Sequence, residues 1–165
     1  MTSFSNPGSL AEALDLLSGD DSEPGAAMPV AGGSDVMVRL QLGRLKAESF
    51  VSLMRVRARP EDAPVDRDGD ELIVDALAPL SQLIRDPLLV AHCRLLVEAM
   101  KTIGSPQVRN VATLGGNIAN ASPAADSVPS LLVDEAQVTL ASAKGTRVLP
   151  LAELLLGPGQ TALHG

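Results

Sequence analysis

Two glycine pairs set among small polar side chains offer the most chemistry. One is Ala31-Gly32-Gly33-Ser34-Asp35. The other is Thr113-Leu114-Gly115-Gly116-Asn117, which runs on through Ile118-Ala119-Asn120-Ala121-Ser122-Pro123-Ala124-Ala125-Asp126. Paired glycines reach backbone conformations closed to other residues and let an anionic group approach the peptide N–H groups, which then form a concave nest. Ser34 or Asp35 at one helix start, and Ser122 before Pro123 at another, would add amide donors and a helix-end dipole worth about 0.3–1 kcal/mol per contact. Two such sites in one small domain suggest a diphosphate-bearing ligand. Taken singly, either pair is more commonly a turn, and neither has the Rossmann or Walker spacing.

The remaining reactive types are sparse. His92 and His164 lack the companions that a triad or a metal centre requires. Cys93 is the single cysteine, which forbids an internal disulfide, a four-thiolate zinc site or an iron–sulfur cluster built by this chain alone. It reads as a core residue. Arg55, Arg57 and Arg59 suit a solvated face, with an acidic partner or a nicotinamide phosphate as the alternative. With two Phe and no Trp or Tyr, any bound ring must rest on aliphatic walls and backbone.

Composition sets the outer limits. The chain has 165 residues, 45% hydrophobic and 20% charged, which suits one folded domain of roughly 100–200 residues and not a disordered segment. Thirteen basic against twenty acidic residues give a net charge of −7, so a nucleic-acid binder, which needs a basic surface, is not expected. Local donors can still hold an anion, because charges beyond about 8 Å are largely screened. No window approaches the roughly 18 apolar residues of a membrane span, and residues 1–7 carry neither a basic flank nor an apolar segment, so a cytoplasmic location is expected.

The elements that must position the glycine pairs follow from local signals. Ser9 and Glu12 form a capping box that opens a helix with Leu10, Ala13, Leu14 and Leu17 on one face and Gly19 as terminator. An acidic loop spans residues 20–25. A strand over residues 28–31 leads through Gly32-Gly33 into a helix carrying Val36, Met37 and Leu40. Residues 50–53 are an apolar segment, and the acid-rich stretch over residues 61–70 reads as a loop and subdomain boundary. A strand over residues 72–74 precedes a helix from Pro87 to about Ile103, with Leu88, Ala91, Leu95, Leu96 and Ala99 inward. Ala136, Val138 and Leu140 alternate as a strand, and Lys144-Gly145 turns it into a hairpin partner over residues 146–149. The irregular alternation predicts a mixed α+β layer structure.

The two glycine motifs, with Asn6-Pro7 and the Ser9 helix, the run Gly104-Ser105-Pro106-Gln107-Val108-Arg109-Asn110, and the closing Leu149-Pro150-Leu151 and Gly157-Pro158-Gly159, resemble the FAD-binding subunits of the molybdopterin dehydrogenase family. That family includes the medium subunit of aerobic carbon monoxide dehydrogenase and the flavin portion of xanthine dehydrogenase. The resemblance covers essentially the whole chain. It implies an α+β FAD-binding fold of the PCMH type in two subdomains, about 1–57 and 58–165, with the family's C-terminal domain absent. It further implies FAD contacts from Pro29, Val30, Ala31, Gly32, Gly33, Ser34, Asp35 and Val36, then Ile103, then Thr113, Leu114, Gly115, Gly116 and Asn117, and finally Asp126. As an Asp before an apolar helix, Asp126 suits an N-cap equally well.

No catalytic residue and no metal ligand is expected. The implied activity is that of an FAD-dependent oxidoreductase subunit. Its partners would be a molybdopterin-binding large subunit and an iron–sulfur small subunit, and NAD, oxygen or another acceptor would take the electrons. The alternative is a truncated, non-catalytic dinucleotide-binding or assembly module.

Overall fold

The computed structural model of the chain describes residues 3–18, 27–45, 47–56 and 63–163. Gly19, the acidic loop over residues 20–25, Arg57, Arg59, His164 and the expected subdomain boundary at 57/58 lie outside the described residues.

The first lobe grows from the capping box. Strand β1 (Ser3–Ser5) leads to helix α1 (Leu10–Leu16), where the Ser9 hydroxyl accepts the Glu12 N–H at 3.2 Å. The Glu12 carboxylate accepts from the Gly8 N–H at 2.8 Å, so the reciprocal bond falls one residue earlier than in the standard box. Ala13 is fully buried, whereas Leu10 is left exposed. Strand β2 (Ala27–Val30), helix α2 (Val36–Gln41) and strand β3 (Ser49–Ser52) complete the lobe. All pairings are parallel in the order β1-β3-β2. Parallel neighbours require crossovers, and α1 and α2 are the helices within these. The central strand β3 buries Phe50, Val51 and Ser52 in succession, as a strand covered on both faces does.

The second lobe opens with an antiparallel hairpin of β4 (Val65–Asp68) and β5 (Glu71–Val74). Its first strand replaces part of the loop expected over residues 61–70. Asp66, Arg67 and Asp68 are exposed while Val65 enters the core, so the charges are those of a solvated strand. Helix α3 (Leu80–Leu83) follows, then α4 (Pro87–His92), whose first turn is capped by Asp86 accepting the N–H groups of Leu88 and Leu89. The long helix expected from Pro87 is broken: at Cys93 the backbone leaves the helix (φ −123°, ψ 52°), and α5 (Arg94–Thr102) starts afresh. The break rotates the buried face onto Leu89, Leu96, Val97 and Met100, and it leaves Leu95 and Ala91 exposed, contrary to the expected inward set.

Helices α6 (Pro106–Arg109), α7 (Leu114–Ala119) and α8 (Ser127–Val133) precede a hairpin of β6 (Gln137–Ser142) and β7 (Gly145–Pro150). Helix α9 (Leu151–Leu154) and a small hairpin of β8 (Leu155–Gly157) and β9 (Gln160–Thr161) end the described chain. No helix starts at Ser122: its hydroxyl accepts the Ala124 N–H, and the next helix begins at Ser127.

The main core lies entirely in this lobe, around Leu80, Leu83, Leu89, Leu96, Met100, Leu151 and Leu154. Each such side chain contributes about 1.5–3 kcal/mol, so this lobe forms the rigid base for the site. Among the described residues, no helix is long and apolar enough to cross a membrane.

Candidate functional site

The loop after β2 has two structural peculiarities that favour glycine. A Cβ on Gly32 would lie 1.9 Å from the Val111 carbonyl oxygen and 2.5 Å from its carbon. The first lobe is therefore seated here directly on second-lobe backbone. Gly33 has φ +67°, the left-handed region that costs other L-residues roughly 1–2 kcal/mol. Among the described residues, the N–H groups of Gly32, Gly33 and Ser34 meet no acceptor. They form a short run of main-chain donors at the edge of a cleft.

That cleft, about 1140 Å³, opens between the lobes. It exceeds the roughly 300–1000 Å³ typical of drug-sized ligands, which makes it roomy enough for a dinucleotide. Pro29, Val30, Ala31, Gly32, Gly33, Ser34, Asp35 and Val36 line one side; Ile103, Thr113, Gly116 and Asn117 line the other. Asp35 stands at the N-cap of α2 without a side-chain capping bond, and its carboxylate lies 3.8 Å from Arg39, which also borders the cleft. Both side chains are nearly half exposed, so the pair adds little stability.

The second glycine pair is not a nest. Thr113 caps α7, its hydroxyl accepting the Gly116 N–H at 3.0 Å, and the Gly115 N–H donates to the Ala76 carbonyl at 2.8 Å. Both amides are spent inside the protein. Glycine is an unfavourable helix residue, by about 0.8–1 kcal/mol against alanine, so close approach must explain the pair. A Cβ on Gly115 would meet the Ala76 oxygen at 2.8 Å. One on Gly116 would sit 2.9 Å from the Thr113 hydroxyl and 3.9 Å from the Ala31 Cβ, so the two motifs come within contact distance of each other beside the cleft.

Three of the expected contact residues stand elsewhere. Leu114 is buried in the core, Gly115 packs on Ala76, and Asp126 is exposed at the N-cap position of α8 with no side-chain capping bond; none of the three lines the cleft. Ile103 ends α5 in an extended conformation. The Arg109 guanidinium donates to the carbonyls of Ile103 and Gly104 at 2.9 and 2.8 Å, which fixes this aliphatic wall.

Further lining residues were not expected: Asn120, Gln160, Thr161 and Leu163. The β8–β9 hairpin is brought in by the Gly159 N–H, which donates to the Ala121 carbonyl at 2.8 Å. The Pro158-Gly159 turn was the only sequence signal there. Neither Phe4, exposed, nor Phe50, buried, reaches the cleft. Among the described residues, no group of His, Cys, Asp and Glu could hold a metal ion.

Comparison with known proteins adds the lineage. The xanthine dehydrogenase FAD-binding subunit of Escherichia coli O157:H7 is 32% identical over 162 residues, covering 98% of this chain and 53% of that protein. The carbon monoxide dehydrogenase medium chain of Hydrogenophaga pseudoflava is 32% identical over 158 residues, covering 96% and 53%. A solved structure of carbon monoxide dehydrogenase from Hydrogenophaga pseudoflava, lacking the Mo-pyranopterin moiety of its cofactor, superimposes with a TM-score of 0.88 at 31% identity, over 99% of this chain and 55% of that one. The chain thus spans about half the length of these relatives. Residues 1–165 match the family described as the FAD binding domain in molybdopterin dehydrogenase. With the α+β fold, the interlobe cleft and these identities in agreement, the chain belongs to that family of FAD-binding domains.

Proposed function

We propose that the interlobe cleft seats FAD and that the chain acts as the flavin part of a molybdenum hydroxylase or dehydrogenase complex. In that complex, electrons pass from iron–sulfur clusters on a small partner subunit, supplied by a molybdopterin-binding large subunit, to NAD, oxygen or another acceptor. A cytoplasmic location and a division into subdomains at about 57/58 belong to the same proposal.

The observation that carries it is the run of unpaired N–H donors at Gly32, Gly33 and Ser34, set in a cleft large enough for a dinucleotide. The donor set fits FAD. Those amides suit a diphosphate, Thr113 and Asn117 offer polar side chains, and Ile103 gives the ring system an aliphatic wall in the absence of an aromatic one. Leu114 and Gly115 take a supporting part beneath the cleft. Bound flavin supplies the exchange of electrons singly or in pairs, and the protein supplies its placement and controls access. The single cysteine agrees with clusters carried by another subunit.

The test is purification of the protein together with the products of neighbouring genes, followed by cofactor analysis. A yellow preparation whose flavin absorbance bleaches when substrate reaches the complex is the expected result. A colourless folded protein that takes up no added FAD overturns the proposal.

A further inference from the structure

The polar environment of Asn117 contains a group that the reading above does not use. Ser127, the first residue of α8, is 0% exposed, and its hydroxyl donates to Asn117 Oδ1 at 2.6 Å. Asn117 sits in α7 and lines the cleft. We infer that Ser127 is a positioning residue, which turns the Asn117 amide so that its N–H donors, and not its oxygen, are presented to the dinucleotide. The inference rests on the FAD reading of the cleft.

The chemistry selects one of two orientations. A carboxamide carries one acceptor and one double donor, and a hydroxyl can donate or accept. With the amide flipped, the Ser127 oxygen would accept from Asn117 Nδ2, and the hydroxyl proton would have no acceptor among the described residues. A buried donor left unmade costs about 1–3 kcal/mol, so Oδ1 faces inward. Nδ2 has no acceptor among the described residues and remains the amide's free polar atom. It complements a ligand rich in acceptor oxygens, whereas Oδ1 would repel one. The Ser127 carbonyl in turn accepts the buried Ser130 hydroxyl at 2.8 Å, which steadies the helix start that carries the hydroxyl.

The experiment measures FAD dissociation constants for the full-length protein in its complex, as wild type, Ser127→Ala, Asn117→Ala and the double variant. Ser127→Ala is expected to weaken FAD binding about three- to tenfold, the range of one lost hydrogen bond. The effect should vanish in the Asn117→Ala background, which a merely structural serine would not show. Asn117→Asp keeps the oxygen that Ser127 binds but replaces the donors with a carboxylate, and it should bind FAD more weakly than Asn117→Ala. Wild-type affinity in Ser127→Ala, or equal weakening in both backgrounds, overturns the inference. If Ser127→Ala does not fold, Asn117→Asp binding as well as Asn117→Ala overturns it instead. A wild-type protein that binds no FAD refutes the underlying reading, a result distinct from either of these.

Discussion

Gly32→Ala is the sharpest perturbation that the structure offers, because one methyl group would strike peptide and not a movable side chain. The new Cβ would lie 1.9 Å from the Val111 oxygen, where ordinary contact begins at 3.4 Å, so the two backbones must part by about 1.5 Å. Forcing atoms into a packed region costs about 1–3 kcal/mol. In a domain of this size each 1 kcal/mol lowers Tm by roughly 2–4 °C, which predicts a loss of about 2–12 °C. Moving the loop off Val111 also displaces the donors of Gly32, Gly33 and Ser34 relative to Thr113 and Ile103. FAD affinity should therefore fall by about tenfold or more, the equivalent of at least one lost contact. Calorimetric titration with FAD gives the affinity, and scanning calorimetry gives the Tm. A Gly32→Ala protein with wild-type Tm and wild-type affinity would refute the claim that the lobes meet at this peptide.

Gly33→Val tests conformation without collision, since its Cβ would make only ordinary contact with Val30 at 3.5 Å while φ stays at +67°; we expect a Tm loss of a few degrees, from roughly 1–2 kcal/mol, and reduced FAD retention measured by absorbance. Gly115→Ala should lower Tm through its clash with Ala76, but by less than Gly32→Ala because the overlap is smaller, 2.8 Å against 1.9 Å, a difference read by scanning calorimetry. Thr113→Val removes the cap on Gly116, a loss of about 1 kcal/mol read by denaturant titration. Burial and, secondarily, Asp134 push the Cys93 thiol above its ordinary pKa. Because the thiolate is the reactive form, alkylation at pH 8 should be slower in the folded than in the unfolded protein, and the gap should close as pH rises through the raised value.

What could be read from the sequence was what is decided locally. The Ser9 and Glu12 cap and the β6–β7 hairpin depend on neighbours a few residues away, and both form; the strand before Gly32 also forms, although its partner β3 lies some twenty residues on. The second glycine pair misled because a Gly-Gly step in isolation favours a turn. Its helical state comes from the Thr113 cap and from contact with Ala76, some forty residues upstream. The strand β4 was hidden by its charges, since three exposed charged residues in succession look like a polar loop without a partner strand. The break at Cys93 lay inside a continuous apolar pattern and shifted the buried face by a register that periodicity alone does not reveal. Around the cleft, the loop over residues 29–36 was named through the resemblance, and all eight residues line the cleft. Gln160 and Thr161 were not, because non-local bonds, from Gly159 to Ala121 and from Arg147 to Ala162, hold their hairpin there.

Among the described residues no Phe, Tyr or Trp lines the cleft, and this has an optical consequence. Excited isoalloxazine goes dark fastest by taking an electron from an adjoining indole or phenol, and these 165 residues contain neither. Light emitted from a flavin lodged there would escape that route until an indole or phenol from outside these residues came close, so dimming would report its arrival.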